Sequence, residues 1–441
     1  MAEKTPNLQT IRGMDDVLPV KASSAVYESE SWRALRDRYT AYVERFGYRY
    51  IETPVLEMTE LFRRTSGETS DIVSKEMYTF ETRGGESISM RPEGSASVCR
   101  AVMQHSLTNS GADLKFFYIA PMFRAERPQR GRYRQHTQLG LELFKETDAT
   151  ADAEVISILY DFFSEELGLK QLTVHINSVG TPECRPAYRD ALVDYLNQYA
   201  DKLSEDSRQR LNQNPMRILD SKAPEDQAIA DAAPKMLDHL DEESAAHFEG
   251  VKQALAALNV PYSINTRLVR GLDYYTRTAF EITCESLDGA IRVIGGGGRY
   301  DALVEQIGGH PTPAVGFGSG IERVLLALES QDIQLTVNRP TKLMIAYIEE
   351  EAKLQALSLA QQLRREGLEV QFPYQTRNFS KQLKSASKSG TRFIVIVGGE
   401  EAKIGKVIVK DFEARKQETI SPEEITSTIQ QWVSQPIENS N

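Results

Sequence analysis

Residues 116–144 read FFYIAPMFRAERPQRGRYRQHTQLGLELF. Two strand-like runs flank a loop. The second run, 136–144, partly alternates polar and apolar residues, as a sheet strand facing a site does. Between the runs, Arg124–Arg134 holds five arginines and one glutamate, a local charge of +4. Pro128 and Gly131 keep that stretch out of a regular ladder. Guanidinium groups suit bidentate contacts with phosphate, which position a nucleic acid without reading it. By composition alone, a solvated basic hairpin tip would look the same. The residues around the loop decide between the two.

Upstream, residues 26–46 carry Trp32, Leu35, Tyr39, Tyr42, Val43 and Phe46 at helical spacing, and 48–55 reads as a strand that stops near Pro54. Strands are expected at 87–91, 115–120, 172–176, 264–269, 278–284 and 290–294, and a helix at 150–167. From about 181 to 260 the chain is rich in Ala, Asp, Glu, Gln and Leu, which predicts a helical insertion. The glycine run Gly295–Gly298 follows, then a helix from Asp301 and a strand-to-helix unit at 314–328. After a linker at 332–340, a strand–helix alternation predicts a small α/β domain.

The 441-residue chain is 40% hydrophobic and 26% charged, an ordinary globular composition for two or three domains. The opening MAEKTPNLQT is polar and no apolar run reaches the ~18 residues of a membrane span, so no membrane association is expected. Cys99, Cys184 and Cys284 provide neither a disulfide framework nor a CxxC zinc pair, which points to a reduced, cytoplasmic setting and to no protein-held metal. A net charge of −11 argues against a general nucleic-acid binder, so local clusters of base matter.

Phe123-Arg124-Ala125-Glu126 and Gly318-Ser319-Gly320-Ile321-Glu322-Arg323 resemble two shared motifs of class II aminoacyl-tRNA synthetases. One is an aromatic followed by Arg-x-Glu before a mobile loop; the other is Gly-x-Gly-x-x-Arg opening a helix. The helix and strand at 26–54 resemble the third, which normally builds a dimer interface. Leu268–Thr276 (LVRGLDYYT), Gly296–Asp301 (GGGRYD), Arg91–Ser95 (RPEGS) and Arg12–Asp15 (RGMD) are similar to signatures of bacterial-type histidyl-tRNA synthetases and occur in that family's order. The resemblance covers essentially the whole chain.

It implies an α+β fold: a class II antiparallel sheet flanked by helices in a catalytic domain at 1–331, a helical insertion at about 180–262, and an anticodon-binding α/β domain at 341–435. It implies ATP, with Mg2+ carried on its phosphates, as well as histidine, tRNA(His) and a homodimer. By resemblance, Arg124 grips the α-phosphate, Arg270 works beside it, Arg323 holds the γ-phosphate, and Glu126 lies by the adenine amino group. Glu93, Ser95 and Gln138 would hold the amino group of histidine and nearby atoms. Glu142 and Tyr275 would meet the imidazole, with Arg270 and Tyr274 also at the histidine site. A neutral imidazole has one donor and one acceptor, so a selective pocket needs polar partners of both kinds. Glu142 is also compatible with an ordinary polar residue on a strand. The glycine run is compatible with tight packing or with the floor of the amino-acid pocket, and the resemblance favours the floor.

The sequence departs from the family at His136, where a Phe usually covers the adenine. An imidazole can stack too, which predicts that ATP affinity depends on pH near the histidine pKa. Arg127, Arg130 and Arg132 in the loop would bind the tRNA end. Arg377, Lys381, Lys384 and Lys388 fall at helical spacing, either as a solvated face or, by resemblance, as a stripe along the tRNA backbone. The alternative function is the histidine-sensing regulatory subunit of ATP phosphoribosyltransferase, which shares the core, typically lacks the C-terminal domain and departs at several of the ATP and tRNA sites. Here Arg124, Glu126, Arg270, Arg323 and the tail are all present.

Overall fold

The structure, a computed structural model, describes residues 8–67, 70, 72–109, 111, 114–269, 272–337, 339–375, 378–388 and 390–435. Its packing divides the chain into two units, Met1–Val337 and Asn338–Asn441. No helix of the described residues is long and apolar enough to cross a membrane.

The strands of the larger unit are β1 (Arg49–Tyr50), β2 (Leu56–Met58), β3 (Thr79–Glu81), β4 (Ser87–Met90), β5 (Lys115–Phe123), β6 (Gln135–Phe144), β7 (Leu172–Ser178), β8 (Tyr262–Ile264), β9 (Thr276–Cys284), β10 (Val293–Arg299) and β11 (Ala314–Gly320). Among the described residues, eight of them form one sheet in the order β1-β5-β6-β11-β10-β9-β7-β8. Its interior pairs are antiparallel, and only the edge pairs β1/β5 and β7/β8 are parallel. The strands β2, β4 and β3 make a separate small sheet.

The alternation in β6 sets the two faces of the large sheet. Leu139, Leu141 and Leu143 are buried in one core with Tyr39, Leu159, Phe162, Val324 and Leu325 from the helices Ser29–Glu44, Ala149–Asp161 and Ile321–Ser330 and the turn after the second. Burying each such side chain contributes about 1.5–3 kcal/mol. Gln138 and Glu142 take the opposite parity and point to the other face. The Tyr39 hydroxyl crosses to donate to the Gly140 carbonyl at 2.9 Å. A second core on the far face gathers Phe62, Val98, Val102, Tyr118 and Tyr300.

Four local expectations differ from the structure. Only Arg49–Tyr50 pairs in the stretch expected as a strand over 48–55. Pro54 has no N–H for a ladder, and Arg91 satisfies the neighbouring carbonyls, donating to Thr53 O at 2.7 Å and Pro54 O at 3.3 Å. The strand expected at 264–269 ends at Ile264, because Asn265 begins a turn closed by Leu268 N–H. Residues Gly289–Arg292 form a short helical turn, so the strand starts at Val293 and runs through the glycines. The helix expected from Asp301 is a single turn, Leu303–Gln306.

In the region expected as an insertion lie the helices Arg185–Asn197, Glu205–Gln213, Pro224–Asp231 and Glu242–Ala257. The first three share a core of their own with Tyr188, Leu192 and Ile218. The last packs Phe248, Val251 and Leu255 into the main core.

The smaller unit has β12 (Lys342–Tyr347), β13 (Glu369–Gln371), β14 (Phe393–Val397), β15 (Val407–Asp411) and β16 (Lys416–Ile420) in the order β13-β12-β14-β15-β16. Strand β12 is parallel to both neighbours, and a β15–β16 hairpin closes the antiparallel side. Its core includes Leu343, Leu359, Val395 and Trp432.

Candidate active site

A cavity of about 770 Å³ opens on the polar face of the large sheet. Its lining includes Glu93, Ser95, Arg124, Glu126, Arg132, His136, Gln138, Tyr274, Tyr275 and Arg323, so the structure brings these ten expected residues together. Glu142 is not in the lining; it lies fully buried beneath. Arg127 and Arg130 are exposed on the loop and do not line the cavity. Arg270 and Arg377 lie outside the described residues. Lys381, Lys384 and Lys388 are exposed on the helix Phe379–Lys388 of the smaller unit.

The strand register explains how the polar residues fit. On β11, glycines face the long side chains of β6. A Cβ at Gly316 would sit 1.9 Å from a Glu142 carboxylate oxygen, and one at Gly318 would sit 1.6 Å from the Gln138 amide nitrogen. Side chains there would evict both groups. Gly295 and Gly296 of β10 line the cavity, so part of the run does form a wall. The run itself is a strand and not a turn: a Cβ at Gly297 would lie 2.0 Å from the Gly316 carbonyl oxygen, so glycine lets the two strands close.

Glu142 accepts hydrogen bonds from Ser95 Oγ at 2.6 Å, from the Tyr118 hydroxyl at 3.3 Å, and from Tyr300. Burial pushes its carboxyl up to about 8, although the Ser95 and Tyr300 hydroxyls favour the charged form. Glu93 is also raised by burial, against the pull of two backbone N–H groups and Arg124. Its oxygens accept from Ser95 N at 2.7 Å and Ala96 N at 2.9 Å, at the start of the helix Ser95–Gln104. Tyr274 and Tyr275 pack at 4.7 Å between ring centroids.

Two of the cavity arginines, Arg124 and Arg323, are fixed by backbone carbonyls. Arg124 Nε donates to Pro92 O at 3.0 Å. Arg323 donates through Nε to Gly131 O at 3.0 Å and through Nη1 to Val293 O at 2.9 Å. Burial, then the charges of Arg132 and Arg124, lower the Arg323 pKa, against Glu126 and Glu281, which raise it. Glu126 pairs with Arg132 at 3.5 Å.

His136 requires a correction. Burial, followed by the charges of Arg124 and Arg323, pushes its pKa down to about 3. Its ring is neutral across the mild pH range, so the expected pH dependence of stacking near the ordinary histidine pKa is removed.

The sequence reading did not assign Asp220, Lys222, Tyr133, Glu281 or Glu322 to the site, yet all line the cavity. Asp220 and Lys222 come from the region of the insertion, whose helical pattern carries no sign of where its loops point. Glu281 sits on the regular strand β9, where alternation was the available signal. Among the described residues there is no cluster of three or more His, Cys, Asp or Glu side chains that could hold a metal.

The family model for histidyl-tRNA synthetase matches residues 13–324, and that for an anticodon-binding domain matches 342–432. The chain belongs to the histidyl-tRNA synthetase family. A histidine–tRNA ligase of Neisseria meningitidis serogroup C is 44% identical, over 98% of this chain and 99% of its own length. One from Desulforamulus reducens is 45% identical over 94% and 97%. The apo histidyl-tRNA synthetase of Staphylococcus aureus superposes with a TM-score of 0.79 at 34% identity, covering 96% of this chain and 99% of that one. As a histidyl-tRNA synthetase this chain is a histidine–tRNA ligase and uses ATP. The near-complete match, anticodon-binding domain included, favours the ligase over the regulatory-subunit alternative.

Proposed function

We propose the following division of labour within the histidine–tRNA ligase reaction. Histidine lies over Glu142, with its imidazole met by Glu142 and Tyr275 and its amino group by Glu93, Ser95 and Gln138, beside Tyr274. ATP lies along the other half of the cavity: His136 covers the adenine, Glu126 takes its amino group, Arg124 holds the α-phosphate and Arg323 the γ-phosphate. Arg270 assists at the α-phosphate. The histidine carboxylate attacks the α-phosphorus, pyrophosphate leaves, and the tRNA terminal hydroxyl then takes the histidyl group from the adenylate. Carboxylate and phosphate repel each other, so fixed guanidinium groups aimed at the growing charge lower the barrier. The observation that carries this reading is the convergence of Arg124 and Arg323 with Glu93, Gln138 and Tyr275 on one cavity above a buried Glu142.

Mg2+ enters with the phosphates and offsets their charge when bound. Glu281 lines the cavity and acts electrostatically on Arg323, so it is the carboxylate that would offer the ion an oxygen. Arg127, Arg130 and Arg132 receive the tRNA acceptor end, and Arg377, Lys381, Lys384 and Lys388 hold the backbone near the anticodon. The catalytic domain runs over 1–331 and the anticodon-binding domain over 341–435. Two copies pair as a homodimer through the region of β1 and the small sheet, a reading supported by the exposed apolar side chains of Tyr50, Leu56, Met58 and Phe80. The setting is the cytoplasm, and the tRNA is tRNA(His).

The test is histidine-dependent exchange of labelled pyrophosphate into ATP without tRNA. Exchange with histidine alone among the amino acids is expected. Saturable histidine binding without exchange would return the chain to the regulatory reading.

A further inference from the structure

Strand β11 runs beside β6 until Gly320, which stands opposite Gln138. There β11 ends and the helix Ile321–Ser330 begins. The N–H of Thr137, one residue further along β6, is taken by a side chain: Glu322 Oε1 accepts it at 2.8 Å. A carboxyl group from the first turn of the helix thus continues a ladder that the backbone has left. On either side of Thr137 are His136 and Gln138, both in the cavity lining.

Glu322 is 6% exposed, and its Oε2 is buried with no hydrogen-bond partner. It stands in the wall between two cavities. One is the active-site cavity; the other, of about 620 Å³, is lined by Asp16, Arg33, Arg36, Asp37 and Gln135 among others, and Tyr133 and Glu322 line both. Burial raises the Glu322 carboxyl to about 7, against its own backbone N–H, the Thr137 N–H, Arg323 on its own helix and Arg36 on the helix Ser29–Glu44. Nothing in the proposed chemistry uses this group. It is a buried carboxyl with one oxygen unpaired, and the hydrogen bond it accepts from another element comes from the backbone beside the adenine-covering ring.

We propose that Glu322 is a positioning residue for ATP: by holding the Thr137 N–H it fixes the end of β6 and sets the ring of His136 against the adenine. The inference rests on the nucleotide role given above to His136. Its signature is selective, because Glu93, Glu142 and Tyr275 hold histidine away from this end of the strand, and Gln138, though next to Thr137, is itself paired with Ala120 and Gly320.

The experiment is pyrophosphate exchange with the full-length enzyme, varying ATP at saturating histidine and the reverse. Glu322→Ala is expected to raise KM for ATP about tenfold and to leave KM for histidine within about twofold. Glu322→Gln keeps an acceptor oxygen and is expected to restore KM for ATP to within about twofold of wild type. The effects of Glu322→Ala and His136→Ala on KM for ATP are expected not to add, since one acts through the other. Should Glu322→Ala fail to fold, Glu322→Asp withdraws the acceptor by one methylene and carries the same expectation. Equal rises in both KM values, no rise in KM for ATP, or a Gln variant as impaired as Ala would each overturn the proposal. Absence of histidine-dependent exchange in the wild type would instead defeat the underlying site reading.

Discussion

Burial holds Glu142 near a pKa of about 8 even though Ser95, Tyr118 and Tyr300 all donate to it. The neutral form therefore prevails below that pH. A carboxyl whose folded pKa is raised binds its proton more tightly folded than unfolded, so it costs stability as pH rises from its unfolded value toward 8. Glu142→Gln removes that cost and also replaces the carboxyl that meets the imidazole with an amide. It is expected to lower kcat/KM for histidine by roughly ten- to a hundredfold, while its Tm at pH 8 does not fall below wild type; exchange kinetics and a thermal melt check the pair. His136 behaves oppositely. With its pKa near 3, it is neutral throughout the assay range. KM for ATP should show the same pH profile in wild type and in His136→Phe, and a difference between the two near pH 6 would contradict the displaced pKa.

At the level of strands and helices, one buried cluster ties three elements. Arg299, at the end of β10, is fully buried and pairs with the fully buried Asp152 of the helix Ala149–Asp161. It also donates to Glu146 O at 2.7 Å, and His247 of the helix Glu242–Ala257 reaches Asp152 at 3.4 Å. Burial pushes the Asp152 carboxyl up, but His247 and Arg299 together outweigh it and hold it below the usual range. Its contribution to stability is thus complete above the unfolded carboxyl pKa and is lost as pH falls through the folded one. Asp152→Asn leaves the buried guanidinium with Asp301, at 3.0 Å, as its remaining carboxylate and is expected to cost about 3 kcal/mol in denaturant unfolding, with that loss shrinking in acid. A milder test lies on β11. Gly318→Ala would meet the Gln138 side chain first, so it should displace that amide, raising KM for histidine with little change in Tm. This level also marks what could be read in the sequence. The alternation of β6 and the two arginine motifs were legible, because period and motif are local. The glycine strand was not: glycines usually mark turns, and the demand for them in β10 comes from neighbours distant in sequence, the β11 backbone at Gly297 and the β9 backbone at Gly298. Arg299 lay in a recognised signature, but only its packing shows it turned toward Asp152.

The whole molecule carries a net charge of −11, yet its bases gather in the Arg124–Arg134 loop of one unit and on the helix Phe379–Lys388 of the other. Phosphate contacts from such groups set affinity and its salt dependence without reading sequence. Changing Lys381, Lys384 and Lys388 together to Glu is expected to raise KM for tRNA about tenfold at low salt, to flatten the salt dependence of charging, and to leave pyrophosphate exchange unchanged. An effect on exchange would show that the stripe serves the fold. The two-unit organisation was legible from the change of rhythm near 340. The lining contributed by Asp220 and Lys222 was not, since a helical segment says nothing about which cavity its loops approach.

One earlier contact bears on timing. Arg323 spends a donor on the carbonyl of Gly131, at the tip of the arginine loop. On the roles proposed above, the residue that holds the outgoing end of ATP and the loop that receives the tRNA lean on each other. A loop drawn outward would free that N–H as a hydrogen-bond donor for the phosphates.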